Sequence, residues 1–235
     1  MSSEPLLVLD GVVKRFGGLT ALDGVSFSVA PSEILGLVGP NGSGKTTAIN
    51  VISGVYHADA GSVCLGGQRI DRLPAFRRVP LGVNRTFQVP KPFAAMTVRE
   101  NIEVAAYFGA RGRVDIDDVL VEIDLADQAD VLASGLTVNQ QKRLDLGRAL
   151  ATEPKLLLVD EIGAGLNPGE LGVIADLLCR LAARGIALIV VEHLLDFLNR
   201  IANRVIVLSA GRMLYEGTLE NASRNADVVA AFIGG

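Results

Sequence analysis

The sequence predicts an α/β protein, with a mostly parallel sheet covered by helices on both faces, a small antiparallel sheet near the N-terminus and a helical insertion in the middle. Three observations carry that reading. Short apolar runs recur along the chain without polar alternation, as strands buried on both faces require. Apolar residues at helical spacing lie between the later runs. From about residue 97 to 150 helical spacing continues with no strand between.

Taken in order, LLVL at 6–9 opens the series of apolar strands, and ILGLV at 34–38, LLLV at 156–159, ALIVV at 187–191 and VIVL at 205–208 continue it. VSFSV at 25–29 and SVCLGG at 62–67, with turn glycines between, predict the small antiparallel sheet. Residues 97–108, 116–124 and 139–151 read as the inserted helices. Leu171, Ile174, Ala175, Leu178 and Leu181 repeat at helical spacing after Pro168, a residue suited to a first helical turn.

Composition narrows the function. The 235 residues suffice for one large domain whose core needs no covalent staple, and 49% apolar content with a mean hydropathy of +0.39 agrees. With 22 basic against 26 acidic side chains and a net charge of −4, electrostatic nucleic-acid binding is not expected. Cys64 and Cys179 share no motif spacing and are expected to be core thiols in a reducing compartment. The start MSSEPLLVLD lacks a basic leader, so no secretion signal is expected. The longest apolar runs, 186–191 and 228–233, span six residues. A bilayer helix needs about twenty, so any membrane role is expected to run through a partner.

The chemistry begins at GPNGSGKT, which follows the strand ILGLV and opens a helix. Gly39, Pro40, Asn41, Gly42, Ser43, Gly44, Lys45, Thr46 and the next residue, Thr47, are the candidate nucleotide-binding set. Glycines at this spacing let backbone N–H groups turn inward on phosphates at the positive end of a helix. Lys45 would reach the β- and γ-phosphates, and Thr46 would offer its hydroxyl to Mg²⁺. LLLVDE ends a buried strand in two carboxylates. Asp160 is the candidate metal-holding residue and Glu161 the candidate general base for an attacking water. Loop and carboxylates together predict a P-loop NTPase core.

At this point the residues resemble the ATP-binding subunits of ABC transporters. Phe16 in KRFGG matches that family's adenine-stacking aromatic. Gln88 in RTFQVPKPF matches the glutamine that senses Mg²⁺ and the attacking water, and His193 in VVEHLLDF the histidine at the γ-phosphate. KRFGGLTALDGVSF, QQKRLDLGRALATEPKLLLVDE, GAGLNP and VEHLLDFL are similar to the subfamily serving branched-chain amino acid uptake. The resemblance implies ATP and Mg²⁺ as cofactors and one ABC ATP-binding domain over 1–235, with a helical subdomain inserted at about 90–152. The stretch between Phe108 and Leu136 is shorter than the subfamily's. The ending GTLENASRNADVVAAFIG resembles the end of those subunits, implying a complete domain without an added regulatory one. It further implies transmembrane permease subunits, a solute-binding protein acting indirectly, and a cytoplasmic position peripheral to the inner face of the cell membrane. Two such domains close head to tail, each ATP lying between one chain's phosphate loop and the other's signature loop.

That signature loop, usually L-S-G-G-Q or L-S-Y-G-Q, here reads Leu136-Thr137-Val138-Asn139-Gln140. Thr137 keeps a hydroxyl for the partner's γ-phosphate, while Val138 and Asn139 put side chains where glycine allows close approach. Asn139 tolerates positive φ, which would preserve the fold. Thr137 and Gln140 also form a capping box that starts a helix whether or not phosphate binds. Ile162 stands where the family has proline. Gly39 to Thr46, Gln88, Asp160, Glu161 and His193 are all kept while the loop this chain lends its partner is altered, so a heterodimer is expected over a homodimer. The alternatives are a regulatory nucleotide-binding subunit or a non-transport ABC ATPase; a GTPase or small-molecule kinase would leave Gln88 and His193 unexplained.

Overall fold

The fold, from a computed structural model that describes residues 4–110 and 112–233, is built on two sheets. The first half of the chain runs β1 (Leu7–Phe16), β2 (Leu19–Val29), β3 (Ile34–Val38), α1 (Lys45–Ser53), β4 (Ala60–Leu65), β5 (Gln68–Arg69), α2 (Ala75–Arg78) and β6 (Val83–Arg85). Three helices follow, α3 (Val98–Gly109), α4 (Ile116–Glu122) and α5 (Val138–Leu150). The remainder is β7 (Leu156–Asp160), α6 (Pro168–Ala183), β8 (Ala187–Val191), α7 (Leu195–Ile201), β9 (Arg204–Ser209), β10 (Arg212–Gly217), α8 (Leu219–Arg224) and α9 (Ala226–Ile233).

The larger sheet has the order β10-β9-β3-β8-β7-β6, parallel throughout except for β10, which runs antiparallel to β9. Every residue of β3, β7 and β8 is buried, which is why these segments carry no polar alternation. The smaller sheet, order β2-β1-β4-β5, is antiparallel. LLVL belongs to this smaller sheet and not to the parallel core. In β1 buried and partly exposed positions mix, as on a sheet with one packed face. The edge strands β6 and β10 had no apolar run to announce them: two of three β6 residues are half-buried, and no β10 residue is buried.

One core joins the smaller sheet to α1 and one face of the larger sheet, through Leu7, Leu22, Ile49, Ile52, Leu158 and Ile189. A second lies under α6 and α7 on the opposite face, with Val159, Ile174, Leu178 and Val205. A third holds α3, α4 and α5 together around Val98, Ile102, Leu120, Ile123 and Leu144. The helix starts are fixed locally. Thr97 with Glu100 and Asn167 with Glu170 form capping boxes at α3 and α6, and Pro168 occupies the first turn of α6. The cysteines correct the expectation of core thiols. Both are free, but Cys64 is half-buried on β4 and Cys179 is exposed on α6, because each lies on the side of its element turned away from the core.

Candidate nucleotide site

The phosphate loop spans the gap between β3 and α1, at the C-terminal edge of the parallel sheet. Its glycines are required by space. At Gly39, φ +147°, a Cβ would lie 2.2 Å from the Leu208 carbonyl oxygen, and at Gly44, φ +107°, 2.7 Å from that of Ala21. The amides of Gly44, Lys45, Thr46 and Thr47 have no acceptor among the described residues. They are unsatisfied donors at a helix N-terminus, where anions bind. The Ser43 hydroxyl is likewise buried without a partner. Lys45 Nζ bends back to donate to the carbonyls of Gly39 (2.8 Å) and Pro40 (2.9 Å). Burial pulls its pKa down, opposed by the nearby Glu161 and Asp160 carboxylates.

Residues 41–47 line a cavity of about 410 Å³ together with Phe16, Glu161 and His193, while Gly39, Pro40, Gln88 and Asp160 are not part of its lining. Phe16 stands edge-on to Tyr56 with ring centroids 5.1 Å apart, and Lys14 Nζ lies 5.4 Å from its centroid. Phe16 is 41% exposed and lines the cavity, where an aromatic ring suits a planar ligand.

Because β7 and β8 run side by side in parallel, Asp160 and Glu161 come beside the segment that carries His193. His193 Nε2 lies 3.1 Å from Glu161 Oε1, and Gln88 Nε2 donates to Glu161 Oε2. Three residues far apart in sequence thus meet on one carboxylate. Glu161 is held at φ +47°, an uncommon conformation for a non-glycine residue and one that clusters at functional sites.

Asp160 is buried, and its Oδ2 lies 3.4 Å from Arg85 Nη2. Burial pushes its carboxyl above the ordinary range, and Arg85 opposes the push. Arg85, which also donates to Asn50 Oδ1 at 2.6 Å, carried no sequence signal of its own. Arg78, fully buried, serves the far end of α1, the helix that the phosphate loop opens. Arg78 donates to the carbonyls of Val51, Ile52, Leu73 and Asp71, so it satisfies the C-terminal end of α1. Asp160, the Thr46 hydroxyl and the Gln88 amide, the residues expected to hold a metal, would supply a sparse oxygen donor set. That suits Mg²⁺, which keeps waters and substrate phosphates as its other ligands. Among the described residues no group of three acids or histidines could hold a metal without such help.

The loop 136–140 does not join this cavity. It borders a separate cleft with Asn167 and Glu170. Thr137 caps α5: its hydroxyl accepts from Gln140 N at 3.3 Å, and Gln140 Oε1 accepts from Thr137 N at 2.9 Å. Asn139 lies within the first helical turn and not at positive φ, so the tolerance of asparagine for that region goes unused. The amides of Val138 and Asn139 have no acceptor among the described residues. Of the loop, Thr137, Asn139 and Gln140 line the cleft, at the N-terminus of α5, and Val138 is exposed beside it. Ile162 is buried in the second core, where the family has proline.

A glycine-rich strand–loop–helix cradle and an acidic pair at the same sheet edge define a P-loop nucleoside triphosphatase. The comparisons with known proteins narrow this. Residues 22–164 match the family model described as "ABC transporter". The high-affinity branched-chain amino acid transport ATP-binding protein LivG of Escherichia coli K12 is 34% identical over 99% of both chains. Nod factor export ATP-binding protein I of Paraburkholderia xenovorans is 37% identical over 91% of this chain and 71% of its own. The ADP conformation of an ATP-binding cassette of an ABC transporter superposes with a TM-score of 0.89 at 33% identity, covering 99% of this chain and all of that one. The chain belongs to the ABC transporter family of ATP-binding proteins and is an ATPase. Among the described residues no helix is long and apolar enough to cross a membrane.

Proposed function

We propose that the chain is the ATP-hydrolysing subunit of an ABC importer for branched-chain amino acids or similar small polar solutes, one domain working on the cytoplasmic face of the membrane through separate permease subunits. The observation that carries it is the near full-length similarity to the branched-chain amino acid protein LivG, joined to a site in which Glu161 lies between His193 and Gln88. In this reading Phe16 stacks on adenine, the amides of the phosphate loop bind the phosphates, and Lys45 leaves the loop carbonyls for the β- and γ-phosphates. Mg²⁺ when bound, held by Thr46 and Asp160 with Gln88 beside it, neutralises charge on the phosphate oxygens. His193 contacts the γ-phosphate and orients Glu161, which accepts the proton of the attacking water. A bound solute-binding protein selects the solute outside the membrane.

The second nucleotide contact comes from another chain. Thr137 and Asn139 line a cleft apart from this chain's own cavity, an arrangement that supports a head-to-tail pair. Because Val138 and Asn139 crowd that contact, a different subunit with a glycine-bearing loop is the favoured partner. The test is phosphate release by the chain alone and by the chain with its presumed partner, followed by ATP-driven leucine uptake in vesicles holding both and the permease subunits. Brisk turnover alone, matching the pair, overturns the heterodimer. Tight ATP binding with no phosphate release in any pairing overturns the hydrolytic role in favour of a regulatory subunit. Active turnover with no uptake of small polar solutes overturns the importer reading, and the Nod factor export relative makes export the next assay.

A further inference from the structure

Lys142 and Glu192 are buried charges, 4% and 3% exposed, and neither lines the nucleotide cavity. Between them they grip the segment 162–164. Lys142 Nζ donates to the Ile162 carbonyl at 2.6 Å and to that of Ala164, and Glu192 Oε1 accepts from Gly163 N at 2.6 Å. The peptide group joining Ile162 to Gly163 is thus held at its carbonyl by a cation and at its N–H by an anion, and the same cation holds the carbonyl of Ala164. The fit is tight: a Cβ at position 163 would lie 3.1 Å from Glu192 Oε1 and 3.0 Å from Leu171 Cδ2.

Burying two charges is expensive, and an apolar pair of similar volume would serve stability at least as well. Burial lowers the Lys142 pKa and raises that of Glu192, while each opposes the other's shift. What the pair accomplishes lies in where it is attached. Lys142 is two residues beyond Gln140 on α5, the helix whose first turn carries the signature loop. Glu192 precedes His193, and the gripped segment begins directly after Glu161, whose φ of +47° needs support from its surroundings.

We propose that Lys142 and Glu192 are positioning residues: through residues 162–164 they couple the seating of this chain's signature loop on the partner's nucleotide to the setting of Glu161 and His193 in its own site. The proposal rests on the two-chain reading above. When α5 shifts on the partner's ATP, Nζ carries the carbonyls of residues 162 and 164 with it, and Glu161 is one peptide bond away. Glu192 carries the same segment toward His193.

The experiment uses the assembled pair and measures ATP turnover against ATP concentration, with thermal melting alongside. Lys142→Met is expected to lower kcat about tenfold or more, the worth of a hydrogen bond to a charged group, with KM for ATP within about twofold. The Hill coefficient is expected to fall from about two toward one. Lys142→Arg, which keeps charge and donors, recovers part of both. Glu192→Gln, which keeps an acceptor for Gly163, moves the same quantities by less and decides the matter if Lys142→Met does not fold. Unchanged kcat and Hill coefficient in either variant, at wild-type melting temperature, overturn the clamp. A wild-type pair that shows no cooperativity in ATP fails the two-chain reading, and the clamp with it.

Discussion

Replacing Val138 and Asn139 together by glycine tests the signature loop most directly. Val138 is 59% exposed and Asn139 8%, and their amides are the free donors at the start of the 13-residue helix α5. The cost in stability is small. Glycine is about 1 kcal/mol worse than alanine within a helix, and valine and asparagine about half that, so the two changes together cost about 1 kcal/mol. For a chain of this size that is about 2–4 °C in melting temperature. The capping box of Thr137 and Gln140 is untouched, so the helix still begins at the same place. The gain is kinetic. A backbone donor aimed at developing phosphate charge is worth about 10²–10³ in rate when fully engaged, so even partial engagement predicts at least about tenfold faster phosphate release by the homodimer. The assay is single-turnover and steady-state phosphate release at saturating Mg²⁺-ATP, beside a melting curve. A folded double variant whose homodimer turns over within about twofold of wild type would refute the idea that these side chains hold the backbone off the phosphate.

Three further perturbations probe the groups around the site. Arg78→Met removes four hydrogen bonds to backbone carbonyls, of which those of Val51 and Asp71 keep another partner, and the relief of an arginine pushed down to about 10 by burial only partly offsets that. A loss of about 3 kcal/mol is expected in urea unfolding, and a change below about 1 kcal/mol would contradict it. Asp160→Asn is expected to raise the nucleotide-free melting temperature while abolishing Mg²⁺-dependent hydrolysis. An acid whose folded pKa is raised stabilises the fold in its protonated form. That contribution is present below the unfolded pKa and is lost as pH rises through the folded one, so at neutral pH the ionised Asp160 costs stability. The difference between variant and wild type is expected to shrink as pH falls toward about 4, and a lower melting temperature for the variant at pH 7 would count against the burial argument. Lys45→Met removes the two hydrogen bonds to the phosphate loop and the charge meant for the phosphates. ATP affinity, measured by equilibrium binding, is expected to fall at least about tenfold with little change in melting temperature, and unaltered affinity would remove Lys45 from the site.

Some features of the site were legible because they are local. The phosphate loop is set by glycines at fixed spacing between a strand and a helix, and the cap of α5 involves Thr137 and Gln140, three positions on. Other features were not. Arg78 and Arg85 carry no signal of their own in the sequence. Their roles arise only because α1 ends near Arg78 and β6 runs beside β7. The cysteines failed for a related reason, since the type of a residue does not say which side of its strand or helix meets the core. LLVL was apolar enough for the parallel sheet, but pairing with β2 and β4 put it in the smaller one.

By itself the sequence determined the class of chemistry. Phosphate binding by backbone amides requires glycines at one spacing and a helix start beside them, and such requirements are written in consecutive residues. Tertiary structure decided how the separate pieces act on one another. The parallel pairing of β7 with β8 brings His193 to Glu161, and packing of α5 against the loop after β7 buries Lys142 where it can reach residues 162 and 164. Those meetings depend on strand order and helix packing summed over the whole chain, and no window of neighbouring residues contains that information.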